Sequence, residues 1–310
     1  MKQLLFAMAL SLMLSCSREG DNKQTPVLTS LLGREYSEPQ RSTQVQARLD
    51  SNLRVAQANF EADPSEENYI WLGRRQAYLM HLDEAVATFT EGLKKYPDSY
   101  RLLRHRGHRH ISLRQFDKAV SDLQRASELM QGKPPETEPD GQPNAANKPL
   151  SNTQFNVWYH LALAHYLNGN FAGAEQAYLE CMEVSDNDDL LVATADWLYM
   201  TCRREGKTAE AAQVLTMVTD TMNIVENDSY YLRLKMYQGK IPADSLLAVG
   251  PGNPDPDLAL ATQGYGVGNW YLYNGDTARA LDVYNQVLAG KHFSAFGFIA
   301  AEADMVRLQK

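Results

Sequence analysis

Residues 71–99 read WLGRRQAYLMHLDEAVATFTEGLKKYPDS, and residues 105–129 read HRGHRHISLRQFDKAVSDLQRASEL. Laid over one another, Gly73 falls on Gly107, Ala85 on Ala119 and Phe89 on Leu123, each pair 34 residues apart. A chain that repeats itself at this period is built from units that cannot bury their apolar faces alone and must stack. One extended stack, not the two globules that 310 residues would otherwise suggest, is the expectation.

Within the first copy, Leu72-Gly73 is followed by Ala85, Phe89 and Pro97 at intervals of twelve, four and eight residues. This pattern resembles the tetratricopeptide repeat (TPR), a 34-residue helix–turn–helix. The same landmarks recur as Leu161, Ala162, Ala174, Tyr178 and Cys181, then as Leu198, Tyr199, Ala211, Leu215 and Val218, and last as Gly268, Ala280, Tyr284 and Val287. Clear copies are thus expected over 66–99, 100–133, 155–188, 192–225 and 261–294. The 69 residues from Ala211 to Ala280 leave room for a degenerate copy over about 228–250, its second helix shortened by Pro242. The resemblance implies an all-α, right-handed α-solenoid of about five to six hairpins over residues 43–310. Flanking helices are expected too, one striped by Val45, Leu49, Leu53 and Phe60, the other by Phe298, Met305 and Leu308.

The resemblance also places a groove. In such repeats the first helices of successive pairs line a concave surface, through residues six and three before the landmark glycine and one and four after it. Carried over, these offsets give Glu67, Ile70, Arg74 and Ala77, then Arg101, Arg104, His108 and Ile111. Later copies contribute Asn156, Tyr159, Leu163 and Tyr166, then Ala193, Asp196, Met200 and Arg203, and finally Thr262, Tyr265, Asn269 and Leu272. The candidate ligand-binding set is Arg74, Arg101, Arg104, His108, Tyr159, Tyr166, Arg203, Tyr265 and Asn269. Its N-terminal half is basic, suited to carboxylates or phosphates through guanidinium forks, and tyrosines supply flat contact area further along. The stretch 104–110, RHRGHRH, dissolves into this frame: Gly107 is the packing glycine, Arg106 stands for the usual leucine and His110 for a packing tyrosine.

Between the second and third copies lies an insertion, 134–153, rich in proline and containing EPDGQPN. It reads either as a solvated surface loop or as a lid over Arg104 and His108, whose repeat it follows directly.

The N-terminus bears on compartment. MKQLLFAMALSLMLSC has one lysine, an apolar run too short to span a bilayer, and a small residue before Cys16. It resembles a bacterial lipoprotein signal, so residues 1–15 are expected to be removed, Cys16 to be lipidated, and 16–42 to form a flexible tether. Localisation would then be the cell envelope, on the periplasmic or surface face of the outer membrane. Short outer-membrane assembly lipoproteins of the BamD type resemble this chain in anchor and repeat. The formal net charge of −8 argues against nucleic acid as a partner. Cys181 and Cys202 read as small buried fillers.

Chemistry-bearing motifs are few. There is no G-x-S-x-G, P-loop or H-E-x-x-H, and the glycines of GYGVG, 264–268, sit where small residues serve packing. His105, His108, His160 and His165 could meet across two helices, but the arginines around them disfavour a cation. The reading is a non-catalytic scaffold without cofactor or metal, whose partner is a protein or peptide, acidic in the segment that enters the groove. The alternative is a solute-binding or enzymatic lipoprotein that captures an anionic small molecule or glycan under the 134–153 loop.

Overall fold

The computed structural model describes residues 26–141, 144, 146–248 and 255–309. The expected signal segment, Cys16 and residues 16–25 of the expected tether lie outside that range.

Several helices of the stack begin where a polar side chain satisfies one of their free amides. Ser42 opens α1 (Thr43–Ala62), Ser99 opens α4 (Tyr100–Ser112), Asn152 opens α6 (Thr153–Leu167) and Asn187 opens α8 (Asp188–Arg204), each side chain accepting from the amide three residues on. The first hairpin pairs α2 (Glu66–Tyr78) with α3 (Leu82–Lys95), the second α4 with α5 (Phe116–Leu129) and the third α6 with α7 (Phe171–Glu183). The fourth joins α8 to α9 (Thr208–Thr216), and the last α12 (Pro256–Tyr273) to α13 (Thr277–Ala289). Between them the degenerate copy is α10 (Asp228–Tyr237) and α11 (Ala243–Leu247), a helix of only 5 residues after Pro242. A closing helix, α14 (Phe296–Leu308), follows. The fold is an all-α solenoid.

Packing at the landmarks explains the repeat. A Cβ on Gly107 would lie 2.7 Å from Leu123 Cγ, and one on Gly268 2.7 Å from Tyr284 Cε1, so these glycines let the two helices of a hairpin touch. Ala85, Ala119, Ala174 and Ala280 are fully buried. Cys181 and Cys202 are free and buried, and burial pushes both thiols up to about 12. The outer stripes are less complete: Leu49 and Phe298 are buried, whereas Val45 and Leu308 are exposed.

The N-terminal segment departs from expectation. Within residues 26–42, β1 (Leu28–Thr29) and β2 (Glu35–Tyr36) form an antiparallel hairpin, so this part is not a loose tether. Tyr36 stacks on Phe293 at 5.0 Å and meets Phe298 edge-on at 5.7 Å, while Arg34 donates to the Leu288 carbonyl. A few apolar side chains in a polar stretch produce no periodicity, yet they suffice to dock it on the far end of the stack.

The stack also closes on itself. Because the degenerate copy is short, α12 packs on α8 as well as α10, and α14 reaches back to α6. Arg114, in the turn between α4 and α5, donates to Glu302 of α14 at 2.9 Å and to the Phe293 carbonyl at 2.6 Å. Among the described residues no helix is long and apolar enough to cross a membrane.

Candidate functional site

Helices α2 and α4 lie side by side and carry the basic half of the expected groove. Their arginines do not face open solvent, because the insertion lies against them. Arg104 pairs with Glu138 at 3.0 Å, Arg74 donates to the Pro139 carbonyl at 2.8 Å, and Arg75 donates to the Gly141 carbonyl at 2.9 Å. Arg104 and Glu138 are both buried. The loop is held at its base as well: the Glu138 amide donates to Ser151, Thr153 donates to Glu136, and Gln154 donates to Pro134. Further along, Asn144 donates to Glu226 at 2.9 Å, so the insertion runs from the first hairpin to the linker before α10. Most of the described residues of the insertion are exposed, as in a surface loop, but the segment is docked on α2 and α4 by these contacts.

Beneath the loop is a cavity of about 110 Å³ lined by Arg74, Arg104, Arg109, His105, His108 and Glu138, among others. Burial, with Arg104 close by, holds His105 well below its usual range, and burial beside Arg109 does the same for His108. Both are therefore neutral. Desolvation also pulls Arg109 down to about 10, still charged at neutral pH.

Other expected site residues are placed differently. Arg101 is paired with Glu67 at 2.5 Å in a separate surface depression that includes Lys133 and Glu136. His108 does meet His160, ring centroids 4.3 Å apart, with Phe296 of α14 at 5.4 Å. Arg203 lies over the Tyr273 ring at 4.3 Å and donates to Asn274.

The aromatic half is not a groove lining, and this corrects the expectation for Tyr159, Tyr166, Tyr265 and Asn269. All four are buried. Tyr159 donates to Tyr230, the hydroxyls of Tyr166 and Tyr265 are 2.7 Å apart, and Asn269 donates to Tyr166 at 2.8 Å. Tyr265 and Tyr284 both donate to Asp304 of α14, which Arg204 and Arg307 also grip. Despite its burial, these guanidiniums hold the Asp304 carboxyl below the usual range. Asp196, another residue of the expected lining, is buried in an ion pair with Arg233. The physical reason is that α12 and α14 fill the concave side, so the interhelical space of the third to fifth hairpins is core.

Several residues that matter here carry no sign in the repeat pattern. Glu138 and Arg109 belong to this group, as do Arg114, Glu302 and Asp304. Only Glu138 had a readable cue, an acidic loop directly after the most basic hairpin.

Residues 155–188 match the sequence model of the tetratricopeptide repeat. No curated protein matches the chain by sequence. Among solved structures, the chain is similar to a tetratricopeptide repeat protein from Parabacteroides merdae, at 15% identity and a TM-score of 0.48, over 83% of this chain and 93% of that one. It is also similar to YrrB, described as a TPR protein with an unusual peptide-binding site, at 13% identity and a TM-score of 0.43, over 81% and 97%. A third likeness is to Naa15/Naa10 bound to HypK-THB, at 16% identity and a TM-score of 0.36, over 84% of this chain and 32% of that one. The third hairpin thus matches the tetratricopeptide repeat by sequence, and helix hairpins recur before and after it.

Proposed function

We propose that this protein is a non-catalytic scaffold, held at the bacterial cell envelope by a lipid on Cys16, and that the basic face of α2 and α4 receives an acidic, extended segment of a partner protein. The observation that supports the acidic partner is the segment 136–141, ETEPDG, of the chain itself. It lies on that face with one carboxylate on Arg104 and two backbone carbonyls on Arg74 and Arg75. Arginines that read a carboxylate and flanking main-chain carbonyls of an internal segment have the chemistry to read the same features in another chain. The insertion would then act as an internal competitor.

The test removes the competitor. A chain lacking residues 134–150 is titrated with a peptide of the loop sequence PPETEPDGQPN. Binding in trans that disappears when the glutamate corresponding to Glu138 becomes glutamine, or when Arg104 becomes glutamine in the chain, supports the reading; no binding to the loop-deleted chain removes it. Partners captured from envelope membranes should be lost with Arg74→Ala/Arg104→Ala. Fatty-acid labelling that persists in Cys16→Ser would sink the anchor. A small anionic solute is the second reading, favoured by the enclosed cavity under the loop.

A further inference from the structure

The cavity beneath the insertion is charged in an unbalanced way. Its walls bring three guanidiniums, those of Arg74, Arg104 and Arg109, together with one carboxylate, Glu138, and two neutral histidines, His105 and His108. Asp140 stands near Arg74 and Glu138 at the edge of the cavity, and burial raises its carboxyl. Arg74 and Arg104 spend part of their donor capacity on the loop, but Arg104 Nε is buried without a hydrogen-bond partner. Among the described residues the Arg109 guanidinium has no hydrogen bond or ion pair, although its flanking turns are packed. Guanidinium donors cannot be switched off by losing a proton at neutral pH, so their unused N–H groups call for an acceptor-rich anion.

The carboxylate narrows the choice. One Glu138 oxygen is on Arg104, and the other, Oε2, is buried without a donor. An oxygen of an ion-paired carboxylate can only accept. An anion bound beside it must therefore offer a proton as well as acceptor oxygens. Sulfate has no proton to offer. A phosphomonoester, with its second pKa near about 6, has largely lost its own. Inorganic phosphate keeps at least one hydroxyl at pH 7. Size is compatible: a cavity of about 110 Å³ has room for a small oxyanion.

We infer that the cavity between α2, α4 and the insertion is a binding site for inorganic phosphate, whose oxygens accept from Arg109, Arg104 and Arg74 and whose hydroxyl donates to Glu138. The site uses the loop in its closed position, so it goes beyond the scaffold reading and does not depend on a partner.

The experiment uses the full chain in phosphate-free buffer at pH 7 and constant ionic strength, titrated with inorganic phosphate or with sulfate and followed by calorimetry and thermal unfolding. Phosphate is expected to bind one to one and raise the unfolding temperature, with sulfate weaker by at least about tenfold, the discrimination expected when a buried acceptor is left facing an anion without a proton. Arg109→Gln should abolish the phosphate effect without lowering the unfolding temperature in its absence, because it removes a charge that has no partner. Glu138→Gln should let sulfate bind about as well as phosphate, since an amide can donate to either. No heat and no thermal shift at about 20 mM phosphate, an equal response to sulfate in the unaltered chain, or an undiminished response in Arg109→Gln would each overturn the assignment. Peptide binding to the loop-deleted chain is scored separately, so the failure of one reading leaves the other standing.

Discussion

At the scale of single residues, two features have measurable consequences. Gly107 is the close-packing glycine of the second hairpin, with Leu123 fully buried against it. Gly107→Val should destabilise the fold by about 2 kcal/mol through overpacking, read from denaturant midpoints, whereas an exposed substitution such as Lys94→Gln should leave them unchanged. The second is the trio His105, His108 and His160, all held well below the usual imidazole range by burial first and by neighbouring arginines second. Depressed in the folded chain and near about 6.5 when unfolded, these groups take up protons on unfolding. Their contribution is complete above about pH 6.5 and is lost as the pH falls, at up to about 1.4 kcal/mol per pH unit for each histidine. Stability should therefore drop between pH 7 and pH 5.5, above the range where carboxylates titrate, and His108→Gln should flatten the slope. A pH-independent midpoint over that interval would contradict the assignment.

The elements show which parts of the chain could be read locally. Helix limits follow from capping residues and from turns: Met80 and Arg114 take positive φ in the first two hairpins, where Gly169, Gly206 and Gly275 stand in later ones. The landmark residues Gly107, Gly268, Ala85, Ala119, Ala174 and Ala280 fall where the helices of a hairpin meet. The linkers were not legible, because their partners are remote side chains. Asp189 is an example, a buried carboxylate that accepts from the amides of Val225, Glu226 and Asn227 at 2.9 Å each. It ties the linker before α10 to the start of α8. Asp189→Ala would leave those amides unsatisfied, and a loss of about 3 kcal/mol is expected, together with faster hydrogen exchange at residues 223–227. Unchanged exchange there would show that the linker is held by something else.

Across the whole molecule the decisive feature is closure. Arg114 and Glu302 lie 188 residues apart and meet with side chains 3% and 0% exposed. A buried pair of this kind is costly to break from one side: Arg114→Met should cost about 3–5 kcal/mol by leaving Glu302 uncompensated. Arg114→Met/Glu302→Gln should recover most of that loss, and the pair would be refuted by additive effects in the cycle. Solution scattering should report a larger radius of gyration for Arg114→Met than for the double variant, since α14 would be released from the concave side.

The period, the packing glycines and alanines, the helix starts and the basic face of α2 and α4 were all determined by the sequence itself, because each depends on residues within one or two turns or one repeat of each other. What covers those faces was decided only by the tertiary structure. Tyr166 and Tyr265, 99 positions apart, become core because α12 and α14 fold inward. Arg74 and Arg104 come to line a loop-covered cavity because the insertion turns back over them. A repeat pattern specifies which surface each hairpin offers, and long-range burial specifies whether a partner, a ligand or the chain's own segments occupy it.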